Sequence, residues 1–350
     1  MRRQTRQVRL GDLLVGGGAP VSVQTMCNAD PHDAAACLRQ LRACAALGCD
    51  VFRMTVPDPD AARVLGEVRR QSPIPLVADV HFDYRCALAA IEAGADALRL
   101  NPGNVGSRDR VQAVARAAKA KGVPIRIGVN GGSLERGETL VSSALKHLRL
   151  LEDEGFRDVV VSAKASGVPE TLAVYRELAE RTDCPLHLGV TEAGTLIPGA
   201  VRSSVALGIL LDEGIGDTIR VSLTSKPEKE VKVGLEILRA LGLRAPGPAI
   251  TSCPTCGRTK VDLFRVASQV EDALETLFRD WQGRKGEARP FPKVAVMGCA
   301  VNGPGEAKGA DVALCGGDGE FLLYVRGRPV GKVGEADAVG KVIEHVVSLQ

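Results

Sequence analysis

Short β-branched runs recur eight times in the first two thirds of the chain, and most are followed by a segment with helical spacing. No other feature limits the fold as much. The runs are VSVQTM (21–26), VFRMTV (51–56), PLVADV (75–80), ALRLNP (97–102), IRIGVN (125–130), DVVVSAK (158–164), PLHLGVT (185–191) and TIRVSL (218–223). Between them, stretches such as AAACLRQLRACAALG and VQAVARAAKAKG carry apolar residues at helical spacing and close on Gly, as helix C-termini often do. Eight strand–helix units in about 240 residues predict an α/β fold of the (β/α)8 TIM-barrel type. An open doubly wound sheet would more often carry a glycine-rich dinucleotide fingerprint after its first strand. Here the cluster Gly16-Gly17-Gly18 precedes that strand and reads as a tight turn.

The strand ends carry a consistent set of polar residues: Gln24, Arg53, Asp79 with His81, Arg99 with Asn101, Arg126 with Asn130, Lys164, Thr191 with Glu192, and Arg220 with Ser222. Charges in β-branched strands are costly unless they are paired or face a polar cavity. In a barrel all eight C-terminal strand ends meet at one mouth, so these side chains are expected to ring a single site. Arg53, Arg99, Arg126, Lys164 and Arg220 are cationic, which suits an anionic ligand with more than one phosphate or carboxylate.

After residue 245 the pattern changes. LGLRAPGPAI reads as a linker, dividing the chain into a barrel over 1–245 and a smaller α+β domain over 246–350. The second domain holds Cys253 and Cys256 as a CxxC in a Pro/Gly turn, and Cys299 in GCAVNGPGEAKGAD. Three readings compete: a zinc ribbon, a thioredoxin-like dithiol and an iron–sulfur cluster. Zinc wants a second ligand pair that Cys299 does not supply, and a redox dithiol wants its CxxC at a helix start. A cluster held by three thiolates, with the fourth iron open or held by another residue, fits the spacing. The glycines after Cys299 permit a close backbone wrap and bring Glu306 back toward such a metal. The other seven cysteines fall singly, mostly in apolar runs such as Ala36-Cys37-Leu38, and read as buried reduced thiols.

A net charge of +3 is too even to demand a nucleic acid or membrane surface as partner, and 3% aromatics leave little for stacking bases. No apolar stretch reaches the ~18 residues of a membrane span. Asp12 and three glycines interrupt what would be the apolar core of a signal peptide, so a cytoplasmic protein is expected.

The segments SVQTMCNAD, LVADVHFDYR, LRLNPGNVG, IRIGVNGGSLE, HLGVTEAG, EGIGDTIRVSL, CPTCGRTKVD and GCAVNGPGEAKGAD together resemble the 4-hydroxy-3-methylbut-2-en-1-yl diphosphate synthase family of non-mevalonate isoprenoid synthesis, in its bacterial two-domain form. The resemblance covers almost the whole chain. It implies reductive opening of 2-C-methyl-D-erythritol 2,4-cyclodiphosphate, with flavodoxin or ferredoxin as electron donor. It also implies a homodimer in which each cluster domain covers the partner's barrel. By matching motif, a [4Fe-4S] cluster would be held by Cys253, Cys256, Cys299 and Glu306. The substrate would be held by Arg53, Asp79, His81, Arg99, Asn101, Arg126, Asn130, Lys164, Thr191, Arg220 and Ser222, with Glu192 as the favoured proton donor beside Glu306 at the metal. Met26-Cys27 departs from the Met-Thr of many relatives, and Cys315 matches no ligand position. Two other function classes compete: a non-redox phosphate-handling barrel, pterin-related, with a zinc ribbon, and an RNA-binding zinc module.

Overall fold

The computed structural model describes residues 2–101, 108–245, 247–248, 250–282, 291–301 and 303–349. It divides into two units, Met1–Arg244 and Ala245–Gln350.

In the first unit, a hairpin of β1 (Gln7–Leu10) and β2 (Leu13–Gly16) precedes β3 (Ser22–Met26), β4 (Val51–Thr55), β5 (Leu76–Asp79), β6 (Ala97–Leu100), β7 (Ile125–Asn130), β8 (Val159–Lys164), β9 (His187–Leu188) and β10 (Thr218–Ile219). The last eight pair in the order β8-β7-β6-β5-β4-β3-β10-β9, all parallel. A further parallel bridge between Val161 and Leu186 joins the two ends, so the sheet closes on itself. Helices α1 (Ala34–Ala46), α2 (Pro59–Arg69), α3 (Tyr84–Glu92), α4 (Arg108–Lys121), α5 (Leu140–Glu152), α6 (Val168–Arg181), α7 (Leu196–Asp212) and α8 (Pro227–Ala240) follow the strands in turn. Several helix starts are written locally. Asp33 caps α1 by accepting from the Ala36 N–H, Asp58 caps α2 with Pro59 behind it, and Thr139 with Ser142 forms a reciprocal capping box on α5.

The two-residue period of a strand sorts side chains between the helix layer and the barrel interior. Phe52, Met54, Leu76, Ala78, Leu98, Leu100, Ile125, Ile127, Val159 and Val161 belong to the main core. The alternate residues point inward in layers. At the N-terminal ends of the strands, Val51, Val77, Ala97 and Val160 pack against Val8, Leu10 and Val15 of the hairpin, which plugs the barrel bottom. Above that apolar plug the interior turns polar.

Two expectations need correction. The runs 185–191 and 218–223 form strands of only two residues, β9 and β10. Gly189 follows the first, and a side chain there would be crowded: a Cβ would lie 2.8 Å from Lys164 Nζ and 2.9 Å from the Arg220 carbonyl. The hairpin before the glycine turn was not expected: Gly17 and Gly18 do form a turn before β3, but the polar-looking QVRL stretch concealed the strand pair that leads into it.

The second unit is a five-stranded sheet in the order β11-β12-β13-β14-β15: β11 (Ile250–Ser252), β12 (Val294–Met297), β13 (Val312–Gly316), β14 (Glu320–Val325) and β15 (Arg328–Gly334). The first three strands are parallel and the last two antiparallel. Helices α9 (Leu263–Gln282) and α11 (Ala338–Ser348) supply Leu263, Val266, Val270, Leu274, Ala338, Val342 and Val346 to its core, and a short α10 (Gly303–Glu306) lies between β12 and β13. The terminal helix α11 was not foreseen in the tail, although its buried residues fall four apart. Among the described residues no helix is long and apolar enough to cross a membrane.

Candidate active site

Inward-facing residues of the strands build a cavity of about 200 Å³ inside the barrel. Asp79 pairs in register with Arg99, and Arg99 with Arg126, so the three side chains project into one layer. Ten of the expected binding residues line this cavity: Arg53, Asp79, His81, Arg99, Arg126, Asn130, Lys164, Thr191, Arg220 and Ser222. Asn101, two residues beyond Arg99 on the same face, is buried but not among the lining residues, and residues 102–107 of its segment lie outside the described residues. Glu192 is exposed, on the turn after β9, and does not line the cavity either. It holds a left-handed backbone at φ 51°, which a non-glycine residue adopts only under constraint.

Asp79 is the anionic centre of the layer. Its carboxylate is fully buried, 3.2 Å from Arg99 Nη1, 3.6 Å from Arg53 Nη2 and 3.1 Å from His81 Nε2. Burial alone would raise this carboxyl. Arg53, His81 and Arg99 together outweigh it and hold Asp79 well below the usual carboxylate range. Met26 also anchors Arg53: its thioether sulfur accepts from Nη2 at 2.7 Å and from Nε at 3.2 Å. Arg126 donates to Gln24 through one guanidinium nitrogen, while its buried Nη2 has no partner. Room for the long cations comes from glycine, since a Cβ at Gly128 would overlap the Arg99 guanidinium and one at Gly189 would crowd Lys164 Nζ.

Two residues of this site carried no warning in the sequence. Ser162 lines the cavity two residues before Lys164, on the same face of β8. Glu230, on α8, is buried and accepts from Arg220 Nη2 at 3.2 Å.

The charge balance is one-sided. Among the described residues, five basic side chains face two carboxylates, Asp79 and Glu230, so basic groups outnumber acidic ones in the cavity. The physical consequences follow that excess. Burial, opposed by Asp79 but reinforced by Arg220 and Arg99, pushes Arg53 down to about 10. Burial, then Arg220, Arg53, Arg126 and Arg99, holds Lys164 well below the ordinary lysine value. Unpaired buried charge costs several kcal/mol, so a polyanion entering this interior would relieve it.

In the second unit, parallel pairing sets Ser252 of β11 beside Val296 of β12, so the residues leaving both strands meet. Cys253 follows β11 and its sulfur accepts the Gly298 N–H at 3.2 Å, immediately before Cys299. Thr255 turns the CxxC through φ 68°. Cys253, Cys256, Arg258, Gly298, Cys299 and Gly303 line one cavity of about 260 Å³. Arg258 Nε donates to Cys256 Sγ at 3.4 Å and pulls that thiol toward the thiolate that ligates metals. Three thiols spread around a hollow of this size suit a multi-atom inorganic group. Glu306 closes α10, and its side chain lies outside the described residues. Cys315 is buried in β13 and does not line the cavity.

The sequence matches the GcpE TIM-barrel domain over residues 5–235 and the GcpE protein C-terminal domain over residues 249–348. The chain belongs to the GcpE family. It is 52% identical to the 4-hydroxy-3-methylbut-2-en-1-yl diphosphate synthase (flavodoxin) of Geobacter sulfurreducens, over 99% of this chain and 98% of that one. It is 51% identical to the protein of the same name from Maridesulfovibrio salexigens, over 95% and 92% of the two chains. Among solved structures, Yersinia pestis dihydropteroate synthase superposes with a TM-score of 0.52 at 13% identity, over 67% of this chain and 98% of that one. That likeness concerns the barrel fold alone. Family membership extends through both units of this GcpE chain and leaves no place for the zinc-ribbon alternatives.

Proposed function

We propose that the chain converts 2-C-methyl-D-erythritol 2,4-cyclodiphosphate to (E)-4-hydroxy-3-methylbut-2-en-1-yl diphosphate. Two electrons and two protons enter, a ring carbon–oxygen bond breaks, the diphosphate stays on the carbon chain through its other ester, and a hydroxyl departs as water. The observation that carries this reading is the surplus of basic over acidic side chains among the described residues of the barrel cavity, which suits a diphosphate. Membership of a family whose relatives bear this activity in their names supports it.

Arg53, Arg99, Arg126, Lys164 and Arg220 bind the diphosphate and stabilise charge as the ring opens. Asn101, Asn130, Thr191, Ser162 and Ser222 orient it. Asp79 keeps Arg53, Arg99 and His81 in place. Glu192 on its constrained turn delivers the proton that leaves with water, and His81 is the alternative donor. A [4Fe-4S] cluster fits the C-terminal cavity, held by Cys253, Cys256 and Cys299 with Glu306 as the fourth, non-thiolate ligand. When bound, it supplies single electrons and a Lewis-acidic iron.

Flavodoxin is the proposed donor, following the names of the relatives, with ferredoxin as the alternative. The working unit is a homodimer in which each cluster domain covers the partner's barrel, and the cytoplasm is its compartment. The apolar stripe Ile197, Val201, Val205 and Ile209 on α7 is exposed and offers surface for such an assembly. Mixed dimers of Arg220→Ala and Cys299→Ser subunits are expected to regain activity, because each leaves one intact barrel facing one intact cluster. Verified mixed dimers without activity would place both halves of the site in one chain. Iron and sulfide analysis after anaerobic purification tests the cofactor: about four of each per chain is expected, and zinc in their place would refute it.

A further inference from the structure

Cys27 leaves the end of β3, and Cys37 lies in the first turns of α1. Both are free thiols whose sulfurs stand 3.6 Å apart. Cys37 is buried and donates to the Asp30 carbonyl at 3.3 Å, whereas Cys27 is half-buried and within reach of a small solute. The sulfur–sulfur hydrogen bond draws the Cys27 thiol below its ordinary value, and the same contact together with burial raises Cys37. That division suits an attacking thiolate and a resolving thiol.

The pair is wired to the barrel interior by two short contacts. The Cys27 N–H donates to the Arg53 carbonyl at 2.8 Å, and the preceding residue, Met26, holds the Arg53 guanidinium through its sulfur at 2.7 Å. A disulfide requires the sulfurs to close to about 2.0 Å, so the chain at Cys27 must move by ~1.5 Å or turn its side chain inward. The backbone movement pulls on both supports of Arg53, the carbonyl bonded by the Cys27 N–H and the neighbouring Met26 sulfur.

We propose that Cys27 and Cys37 form a reversibly oxidised dithiol whose disulfide weakens anion binding inside the barrel. A hydroperoxide is the oxidant. The Cys27 thiolate attacks its terminal oxygen, the O–O bond breaks, and the departing oxyanion takes up a proton, leaving a sulfenic acid. The Cys37 sulfur then attacks Cys27, the S–O bond breaks as the S–S bond forms, and the hydroxide leaves with the Cys37 proton as water. Two electrons pass from the two sulfurs to the peroxide oxygens, and a small dithiol reverses the change. The effect on binding rests on the role of Arg53 proposed above; the disulfide itself does not.

The test treats the anaerobically purified full-length protein with hydrogen peroxide and follows two readouts. Tryptic peptide 10–39 contains Cys27 and Cys37 and no other cysteine, so alkylation followed by mass spectrometry reports on this pair alone. Expected is a peptide lighter by two hydrogens and closed to alkylation, with inorganic pyrophosphate bound about tenfold more weakly in calorimetry, as for one charge-assisted hydrogen bond. Dithiothreitol should restore both. Cys27→Ser and Cys37→Ser should form no such bridge, and Cys27→Ser should keep its affinity under peroxide, which separates the dithiol from oxidation of Met26. Full alkylation of both thiols after peroxide would overturn the proposal, as would a bridge that leaves pyrophosphate affinity unchanged or an equal loss in Cys27→Ser. Reduced protein that fails to bind pyrophosphate would instead refute the anion site, and the peptide would still decide whether the dithiol exists.

Discussion

Glu230 stands behind Arg220, with Oε1 3.2 Å from Nη2, and fixes the cation that β10 sends toward the barrel interior. The same carboxylate accepts the Leu223 N–H at 2.9 Å and the Thr25 hydroxyl at 2.7 Å, so α8, the end of β10 and β3 are tied at one buried point. Removing it strands a half-buried guanidinium and two further donors. Glu230→Ala is therefore expected to lose about 3–5 kcal/mol in urea unfolding. Glu230→Gln should lose less, because its amide oxygen still accepts from Leu223. A loss below about 1 kcal/mol in Glu230→Ala would show that the pair is not structural.

Gly128 is a place where site and fold separate. The nearest atoms an added Cβ meets belong to the Arg99 guanidinium, the far end of a flexible side chain, so the barrel can tolerate Gly128→Ala while Arg99 must move. Pyrophosphate affinity is expected to fall about tenfold with the unfolding midpoint little changed. A variant that binds as tightly as wild type would remove Arg99 from the anion site.

His187 sets a pH signature of stability. Burial, then Arg126 and Lys164, holds this imidazole well below its ordinary value, and its Nε2 has no partner. The group is neutral in the folded state and protonates in the unfolded chain below about pH 6.5, so the unfolded state binds the extra proton. Its contribution is present above that pH and is lost as pH falls. Between pH 6 and 5, the stability of His187→Gln should decline less steeply than that of wild type, by up to about 1.4 kcal/mol per pH unit. Parallel slopes would mean that His187 is protonated in the fold.

Cys315 separates packing from ligation. It lies at 1% exposure in β13, and a Cβ on Gly303 would be 3.0 Å from its sulfur. Cys315→Ser is expected to keep its iron with a modest loss of stability, whereas Cys299→Ser should lose most of it. Iron loss in Cys315→Ser equal to that in Cys299→Ser would make Cys315 a ligand and Glu306 an unlikely one.

The barrel and most of its interior were legible because a strand alternates faces: a cation two residues from a bottom-facing apolar residue, as Arg99 is from Ala97, has to share its side. Glu230 was hidden among the alternating charges of KPEKEVKV, where only the burial of Val231, Gly234, Leu235 and Leu238 distinguishes the inner face of α8. Ser162 was passed over because a hydroxyl in a β-branched run draws no attention. Cys253, Cys256 and Cys299 were legible as residues, but their meeting depends on β11 lying parallel beside β12, a long-range pairing that no local pattern encodes.

The central claim is that the cationic interior of the barrel and the thiol-lined cavity serve one reductive reaction. Anaerobic incubation with the cyclic diphosphate and reduced flavodoxin, followed by phosphorus NMR, tests it most directly. Wild type is expected to replace the cyclic diphosphate signals with those of a linear alkenyl diphosphate, while Arg126→Ala and Cys299→Ser, both folded, leave the ring intact. Iron-loaded wild type that leaves the cyclic diphosphate unchanged, or an Arg126→Ala variant that turns it over at the wild-type rate, would contradict the account.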